Sequence, residues 1–418
     1  MSSMRIDDPN SNLLFVGFNQ DSSCFACGTK NGFRIFNVDP FKPTFNRVFT
    51  PGSIGIVEML YRCNLLVLVG GGANPHYPPN KVMIWDDSLR RVIGDLTFRS
   101  EVLAAKLRRD RVVVVLREKT YVYRFNDLKL LDQINTRPND KGLVALCPDS
   151  SKTVLACPGI SKGHVRVELY DIRKASFISA HESELACLAL TMDGSRLATA
   201  SVKGTLVRVH DTHTGAMLHE LRRGIEETEI YSIAFNNTAT FLATSSARDT
   251  VHIFSLQGSE GGAGGGAEAA DEGAAEAEAA QATDSAGNPG NPRSNLAFLS
   301  NLLPSATKYF ASEWSFAQVR NLARGPTICA FTSDPDSPNS LVVLSADGAY
   351  SYSTFDPREG GEAVTKNVAN FLSEDNEDAM NLLPNTAPED AGGAMAGALP
   401  VPQQAAPPMA PAADTGLM

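Results

Sequence analysis

Seven times along this 418-residue chain an apolar strand, a short polar turn often holding glycine, and a second strand ending in an aromatic or polar residue recur. The copies are SCFACGTKNGFRIFNVD, LLVLVGGGANPHYPPNKVMIWDD, RVVVVLREKTYVYRFND, KTVLACPGISKGHVRVELYD, RLATASVKGTLVRVHD, FLATSSARDTVHIFSL and SLVVLSADGAYSYSTFD. Their matching end positions, Phe36, Trp85, Phe125, Tyr170, His210, Phe254 and Phe355, lie 49, 40, 45, 40, 44 and 101 residues apart. A period of about 40 to 45 residues made of strand pairs marks a β-propeller of four-stranded blades. Seven copies predict an all-β, seven-bladed, WD-repeat-like ring over residues 11–356, preceded by a short extension over 1–10. Helical repeats would need apolar residues at a 3.6-residue period, which these segments lack.

The 101-residue interval is one blade period plus a long insertion, read at about 258–314 in blade six, between TVHIFSL and a fourth strand, SFAQVR. Its first part is rich in Gly, Ala and acids and predicts disorder. Its second part, NLAFLSNLLPSATKYFASEW, brings Leu296, Leu299, Leu303 and Phe310 near one helical face, with Phe298, Leu302, Tyr309 and Trp314 adding apolar area. That pattern fits either packing on the propeller side or an amphipathic segment buried in a membrane surface. Residues 357–418 are acidic, then Pro/Ala-rich, and predict a disordered tail.

The net charge of −10 resides in those flanking pieces. Residues 258–293 hold seven acids and one base and residues 357–418 nine acids and two bases, leaving a body with 31 acids and 34 bases. A body so weakly basic is compatible with an anionic partner but argues against general nucleic-acid binding. No apolar run approaches the roughly 20 residues of a bilayer span and the start lacks signal-peptide character, so the expectation is a cytoplasmic protein. The seven cysteines are scattered through apolar runs, as buried free thiols would be. Cys24 and Cys27 form a CxxC without a second pair or histidine doublet, so no metal and no cofactor is expected. None of the GxSxG, P-loop or HExxH patterns occurs, which argues against catalysis.

One short stretch is chemically unusual: ELRRG at Glu220 to Gly224, followed by the acidic IEETE. MLHELRR reads as the outer strand of blade five, and successive strand side chains point to opposite sides, so Arg222 and Arg223 should serve two separate places. Two near-copies of one pattern flank them, Ser201 to Thr205 (SVKGT) and Ser246 to Thr250 (SARDT), each with two hydroxyls around a base. Hydroxyls and guanidinium forks suit phosphate oxygens. His181 and Arg208 would complete one pocket, Arg248 and His252 the other. The competing reading is an exposed arginine pair in surface salt bridges with IEETE, each worth little. His210, His213 and His219 read as ordinary rim or strand residues.

The run from His181 to Phe254, with FNQDSSCFACGTKNGFRIFNVDP, PPNKVMIWDD and KYFASEWSFAQVR, resembles the PROPPIN (WIPI-type) family of autophagy proteins over roughly residues 11–356. The resemblance implies a propeller that binds phosphatidylinositol 3-phosphate and phosphatidylinositol 3,5-bisphosphate at two rim sites flanking LRRG. It implies a first site of His181, Ser201, Thr205, Arg208 and Arg222, and a second of Arg223, Ser245, Ser246, Thr250 and His252. Where the family has lysine and glycine this chain has Arg248 and Asp249, which keeps the base and adds a carboxylate. The blade-six loop would insert through Leu296, Phe298, Leu299, Leu302, Leu303 and Phe310.

Implied partners are a phosphoinositide-containing membrane, the autophagy lipid-transfer protein through Asn19, Asp21 and His76, Tyr77, Pro78 and Pro79, and the lipid-conjugation scaffold through Arg109 and Arg111. The implied setting is a monomer in the cytoplasm, peripheral on phagophore, endosomal or vacuolar membranes. A propeller scaffold that binds proteins and no lipid is the alternative.

Overall fold

The computed structural model describes residues 2–50, 52–257, 291–292, 312–320, 325–332 and 337–373. The first sheet contains, in order, β1 (Ser3–Arg5), β2 (Leu13–Phe18), β3 (Cys24–Thr29), β4 (Gly32–Asn37) and β5 (Lys42–Val48). The second holds β6 (Ile54–Met59), β7 (Leu65–Gly70), β8 (Lys81–Asp86) and β9 (Arg91–Thr97), and the third β10 (Ala104–Arg108), β11 (Arg111–Val115), β12 (Lys119–Arg124) and β13 (Leu130–Asn135). The fourth holds β14 (Ala145–Leu146), β15 (Val154–Pro158), β16 (His164–Leu169) and β17 (Lys174–Ser179). The fifth consists of β18 (Leu185–Leu190), β19 (Arg196–Ser201), β20 (Leu206–Asp211) and β21 (Met217–Arg222). The last sheet begins with β22 (Ile230–Phe235), β23 (Phe241–Ser246) and β24 (Thr250–Ser255). After the insertion, β25 (Glu313–Trp314) joins the fifth sheet, while β26 (Ala317–Arg320), β27 (Thr327–Phe331), β28 (Ser340–Ser345), β29 (Ala349–Asp356) and β30 (Gly360–Asn370) complete the last.

The expected set of seven separate four-stranded blades is corrected by this pairing. The described residues form five sheets of four or five strands and one of eight, ordered β22-β23-β24-β26-β30-β29-β28-β27. The junction is a parallel pairing of Ala317 with Gly361 and Gln318 with Glu362. A four-residue β26 would otherwise leave an open row of backbone donors and acceptors, and the 11-residue β30 covers part of it. The sequence period counts strand pairs but carries no information on which free edges meet. SFAQVR does supply a strand against β24, with Thr250 opposite Arg320 and Ile253 opposite Ala317.

The expected boundaries also shift. β1 falls within residues 1–10 and β30 within the stretch read as a disordered tail. Phe371, just beyond β30 and fully buried, packs against Phe25 at 5.3 Å and Phe36 at 5.9 Å. Phe41 meets Tyr350 at 4.5 Å and the Tyr350 hydroxyl donates to the Val38 carbonyl, so aromatic packing joins the first sheet to the last.

Local sequence explains the strands. Runs such as LLVLVG (β7) and RVVVV (β11) are rich in residues that prefer a pleated surface, and they are buried almost throughout because neighbouring sheets cover both faces. The repeat-end residues Phe36, Trp85, Phe125, His210, Phe254 and Phe355 are buried between sheets.

β1 runs antiparallel along the inner edge of β2, bordering a central cavity of about 490 Å³. From there Ser2 donates to the Ile233 carbonyl and accepts from Ser232, and Ser3 accepts from Lys106, whose ammonium also pairs with Glu58 at 3.2 Å. Both members of that pair are buried, and burial pushes the Glu58 carboxyl up while Lys106 opposes it. Lys106→Met should lower the urea midpoint by the equivalent of about 3–5 kcal/mol, because Glu58 is left without its partner. Adding Glu58→Leu should recover most of the loss; equal stability of the single variant and the wild type would show that the pair is immaterial.

Candidate functional site

Antiparallel order within each sheet gathers second-to-third-strand turns and inter-sheet crossings at one end of the ring. His181, the turn after Ser201, Arg223 and the turn after Ser246 all lie at that end. The turn SVKG closes on Gly204, whose φ is +63° and whose added Cβ would fall 1.6 Å from the Thr228 carbonyl oxygen, so no other residue fits there. At Gly224, which ends LRRG, a Cβ would meet nothing within 4 Å.

Arg222 and Arg223 are buried, at 8% and 6% exposure, so they are not the exposed surface pair considered above. They part as the strand alternation predicts. Arg222, the last residue of β21, donates to the Ser312 hydroxyl at 3.3 Å, and Ser312 donates to Glu220 at 3.0 Å. Glu220 also holds Arg208, at 2.9 and 3.0 Å, and Arg208 donates to the Ala180 carbonyl at 2.6 Å beside His181. The His181 Nε2 lies 2.9 Å from the Thr199 hydroxyl. Burial first, and then the Arg208 charge, push His181 down to about 4, so it is neutral at pH 7. Ser201 is buried at the end of β19, and Thr205 is half-buried, its carbonyl accepting the Arg223 backbone N–H at 3.0 Å.

The second cluster forms on the other side of the strand. Arg223 donates from Nε to the Gly204 carbonyl at 3.0 Å and from a terminal nitrogen to the Glu226 carbonyl. The Glu226 carboxylate pairs with Arg248. Burial, followed by the Arg248 charge, lowers Arg223, and His252 is pushed down to about 4 by burial and then by Arg223. His252 Nδ1 lies 3.1 Å from the Ser315 hydroxyl. The Ser246 Oγ is buried without a hydrogen-bond partner among the described residues. Thr250, the first residue of β24, is half-buried. Ser245 is different from the other candidates: its hydroxyl donates to the Thr327 carbonyl at 2.9 Å, tying β23 to β27.

The carboxylate that meets Arg248 is thus Glu226 and not Asp249, which is exposed and in no ion pair among the described residues. Glu220, Glu226, Ser312 and Ser315 escaped the sequence reading. Glu226 belongs to the IEETE run and could have been suspected from it. The two serines had no signal, because they are brought in by β25 pairing parallel with β21, Leu221 opposite Glu313 and Arg222 opposite Trp314. Trp314, read as part of an amphipathic segment, is therefore a strand residue. Leu296, Phe298, Leu299, Leu302, Leu303 and Phe310 lie outside the described residues.

The partner candidates do not form one surface. Asn19 and Asp21 lie in the β2–β3 turn and Arg109 in the β10–β11 turn, while His76, Tyr77, Pro78 and Pro79 lie in the β7–β8 turn at the opposite end. Asn19 is buried and donates to Ser23 and the Tyr61 carbonyl, a turn-building role. Arg109 lies over the Tyr61 ring at 5.3 Å, Arg111 over Tyr170 at 5.8 Å, and His76 stacks on Phe49 at 4.2 Å.

The sheets define an all-β propeller with two arginine–histidine clusters at adjacent sheets. The PROPPIN family model matches residues 12–264, and the chain belongs to that family. Autophagy-related protein 18e of Arabidopsis thaliana is 37% identical over 372 residues, 88% of this chain and 90% of its own length. Autophagy-related protein 18 of Yarrowia lipolytica is 31% identical over 378 residues, 84% and 94% of the two chains. Among solved structures, Kluyveromyces lactis Hsv2 shares the fold at a TM-score of 0.62 and 20% identity, covering 85% of this chain and 98% of that one. KlAtg21, solved in complex with the coiled coil of AgAtg16, does so at a TM-score of 0.63 and 24% identity, covering 85% and 98%.

The depressed histidines have a measurable consequence. His181, His210 and His252 are each held near 4, below the unfolded value of about 6.5. Above pH 6.5 folded and unfolded chains are both neutral at these positions. Between 6.5 and 4 the unfolded chain alone takes up protons, so stability falls with pH and the loss levels off below about 4. Each histidine should contribute on the order of 2–3 kcal/mol to that loss. Urea midpoints should drop steadily from pH 7 to 5, and the three ring C2 protons should show no NMR titration above pH 5; titration near 6.5 would refute the assignment.

Proposed function

We propose that this chain is a phosphoinositide effector of autophagy that binds phosphatidylinositol 3-phosphate and phosphatidylinositol 3,5-bisphosphate at two neighbouring sites. The observation that carries the reading is the division of the arginine pair: Arg222 is joined through Ser312 and Glu220 to Arg208 beside His181, whereas Arg223 shares Glu226 with Arg248 and lies near His252. Ser201 and Thr205 would complete the first site, and Ser245, Ser246 and Thr250 the second. Each cluster brings guanidinium donors and a neutral imidazole to a partly desolvated place, where a phosphate contact is screened less than on open surface. The unpartnered Ser246 hydroxyl supplies a donor to the second site. One headgroup per site binds weakly, and two on a rigid scaffold reinforce each other because the second meets a high effective concentration.

On this reading the insertion residues Leu296, Phe298, Leu299, Leu302, Leu303 and Phe310 add apolar anchorage, and the propeller meets the phagophore, endosomal or vacuolar membrane from the cytoplasm. The candidate partner residues lie at two ends of the sheets, so we assign Asn19, Asp21, Arg109 and Arg111 to one partner and His76 to Pro79 to another. The lipid-transfer protein and the lipid-conjugation scaffold are the two proposed.

Co-flotation with vesicles of phosphatidylcholine containing phosphatidylinositol 3-phosphate tests this. Arg222→Thr and Arg223→Thr should each reduce bound protein about tenfold or more, and the double variant should abolish binding. Binding should also strengthen from pH 7 to 6, because a phosphate beside His181 or His252 raises the imidazole and binding takes up a proton. A double variant that floats like the wild type would support a protein scaffold that ignores lipid.

A further inference from the structure

The second cluster carries its own anion. Arg223 and Arg248 stand close enough for Arg248 to depress Arg223, an arrangement of two like charges that calls for a counter-charge. Glu226 supplies it through its carboxylate, which pairs with Arg248, while its neutral backbone carbonyl accepts from Arg223. The first cluster also contains a carboxylate, Glu220, but that one is only 18% exposed, lies in β21 and holds Arg208 and Ser312 together. The Glu226 side chain is 71% exposed, and it stands in the crossing between β21 and β22. Glu220 is therefore built in, whereas Glu226 is displaceable.

We propose that Glu226 is an internal competitor that sets how strongly the second site takes up an anion. The inference rests on the reading of that site as a phosphate site. A tethered carboxylate bears one negative charge and is held at high effective concentration beside Arg248. A ligand that offers a single diffuse charge, such as a phosphodiester or a carboxylate lipid, gains no more from Arg248 than Glu226 already provides. A phosphomonoester, with close to two charges and three acceptor oxygens, gains more and displaces it. Glu226 thus lowers by one common factor the affinity of every anion that must displace it, and leaves a weaker monoanion without the Arg248 contact. Asp249, exposed and unpaired among the described residues, does not do this.

The test compares wild type, Glu226→Gln, Glu226→Asp and Asp249→Asn by flotation on phosphatidylcholine vesicles containing either phosphatidylserine or phosphatidylinositol 3-phosphate. Glu226→Gln should raise binding to the phosphomonoester vesicles about three- to tenfold at low salt, and binding to the phosphatidylserine vesicles by no more than that. Glu226→Asp and Asp249→Asn should leave both near wild type. Unchanged binding to both kinds of vesicle in Glu226→Gln overturns the proposal.

A readout without lipid separates this proposal from the phosphoinositide reading. In the wild type Glu226 should shield Arg248 from phenylglyoxal, and the modification rate at Arg248, followed by peptide mass spectrometry, should rise several-fold in Glu226→Gln. If no vesicle binding depends on Arg223, the phosphoinositide reading has failed. Arg248 reacting equally in both proteins overturns the present inference whatever the vesicles show.

Discussion

Lateral packing of neighbouring sheets, through inner strands buried on both faces, is the constraint on which everything else in this molecule rests. A strand such as β7 or β11 has no polar face to give to water, so it is stable only when a sheet lies on each side. That requirement closes the ring, places Phe371 between Phe25 and Phe36, and draws residues far beyond the repeats into the first sheet's core. It also holds the ends of β19, β20, β21 and β23 at fixed separations. The candidate clusters inherit their geometry from those strand ends.

Within this frame, burial and charge work against each other around the arginines. Arg222 and Arg223 are almost out of solvent, and a buried guanidinium is tolerated only with its donors satisfied. Ser312 accepts from Arg222 and the carbonyls of Gly204 and Glu226 accept from Arg223, while Glu220 and the Ala180 carbonyl hold Arg208; the Nε of Arg222 is buried and makes no hydrogen bond among the described residues. The same burial keeps His181 and His252 neutral at pH 7, so neither adds positive charge to its cluster. Each cluster thus sets two arginines against one carboxylate, Arg208 and Arg222 around Glu220 and Arg223 and Arg248 around Glu226.

The returning end of the insertion ties the two clusters together. Ser312 reaches Arg222 and Glu220, Glu313 meets His219 at 3.3 Å, and Ser315 reaches His252, all within four residues whose backbone pairs with the arginine strand. The N-terminal strand plays a comparable role at the centre, where Ser2 and Ser3 connect β22 and β10 across the cavity.

The sequence by itself determined the all-β repeat, the strand pairs and the opposed directions of Arg222 and Arg223, because each depends on neighbours a few residues away and on a period of two or of about 44. It gave no access to the joining of β26 with β30, which merges two repeats into one sheet, nor to the strand roles of β1 and β30. Glu226 was visible only as one acid among three in IEETE, and Ser312 and Ser315 not at all. Only the tertiary structure decided these, since they depend on which strand edges remain unpaired once the ring has closed. Pairings between residues some ninety positions apart, such as Arg222 with Ser312, have no periodic signature, and packing of whole sheets selects them.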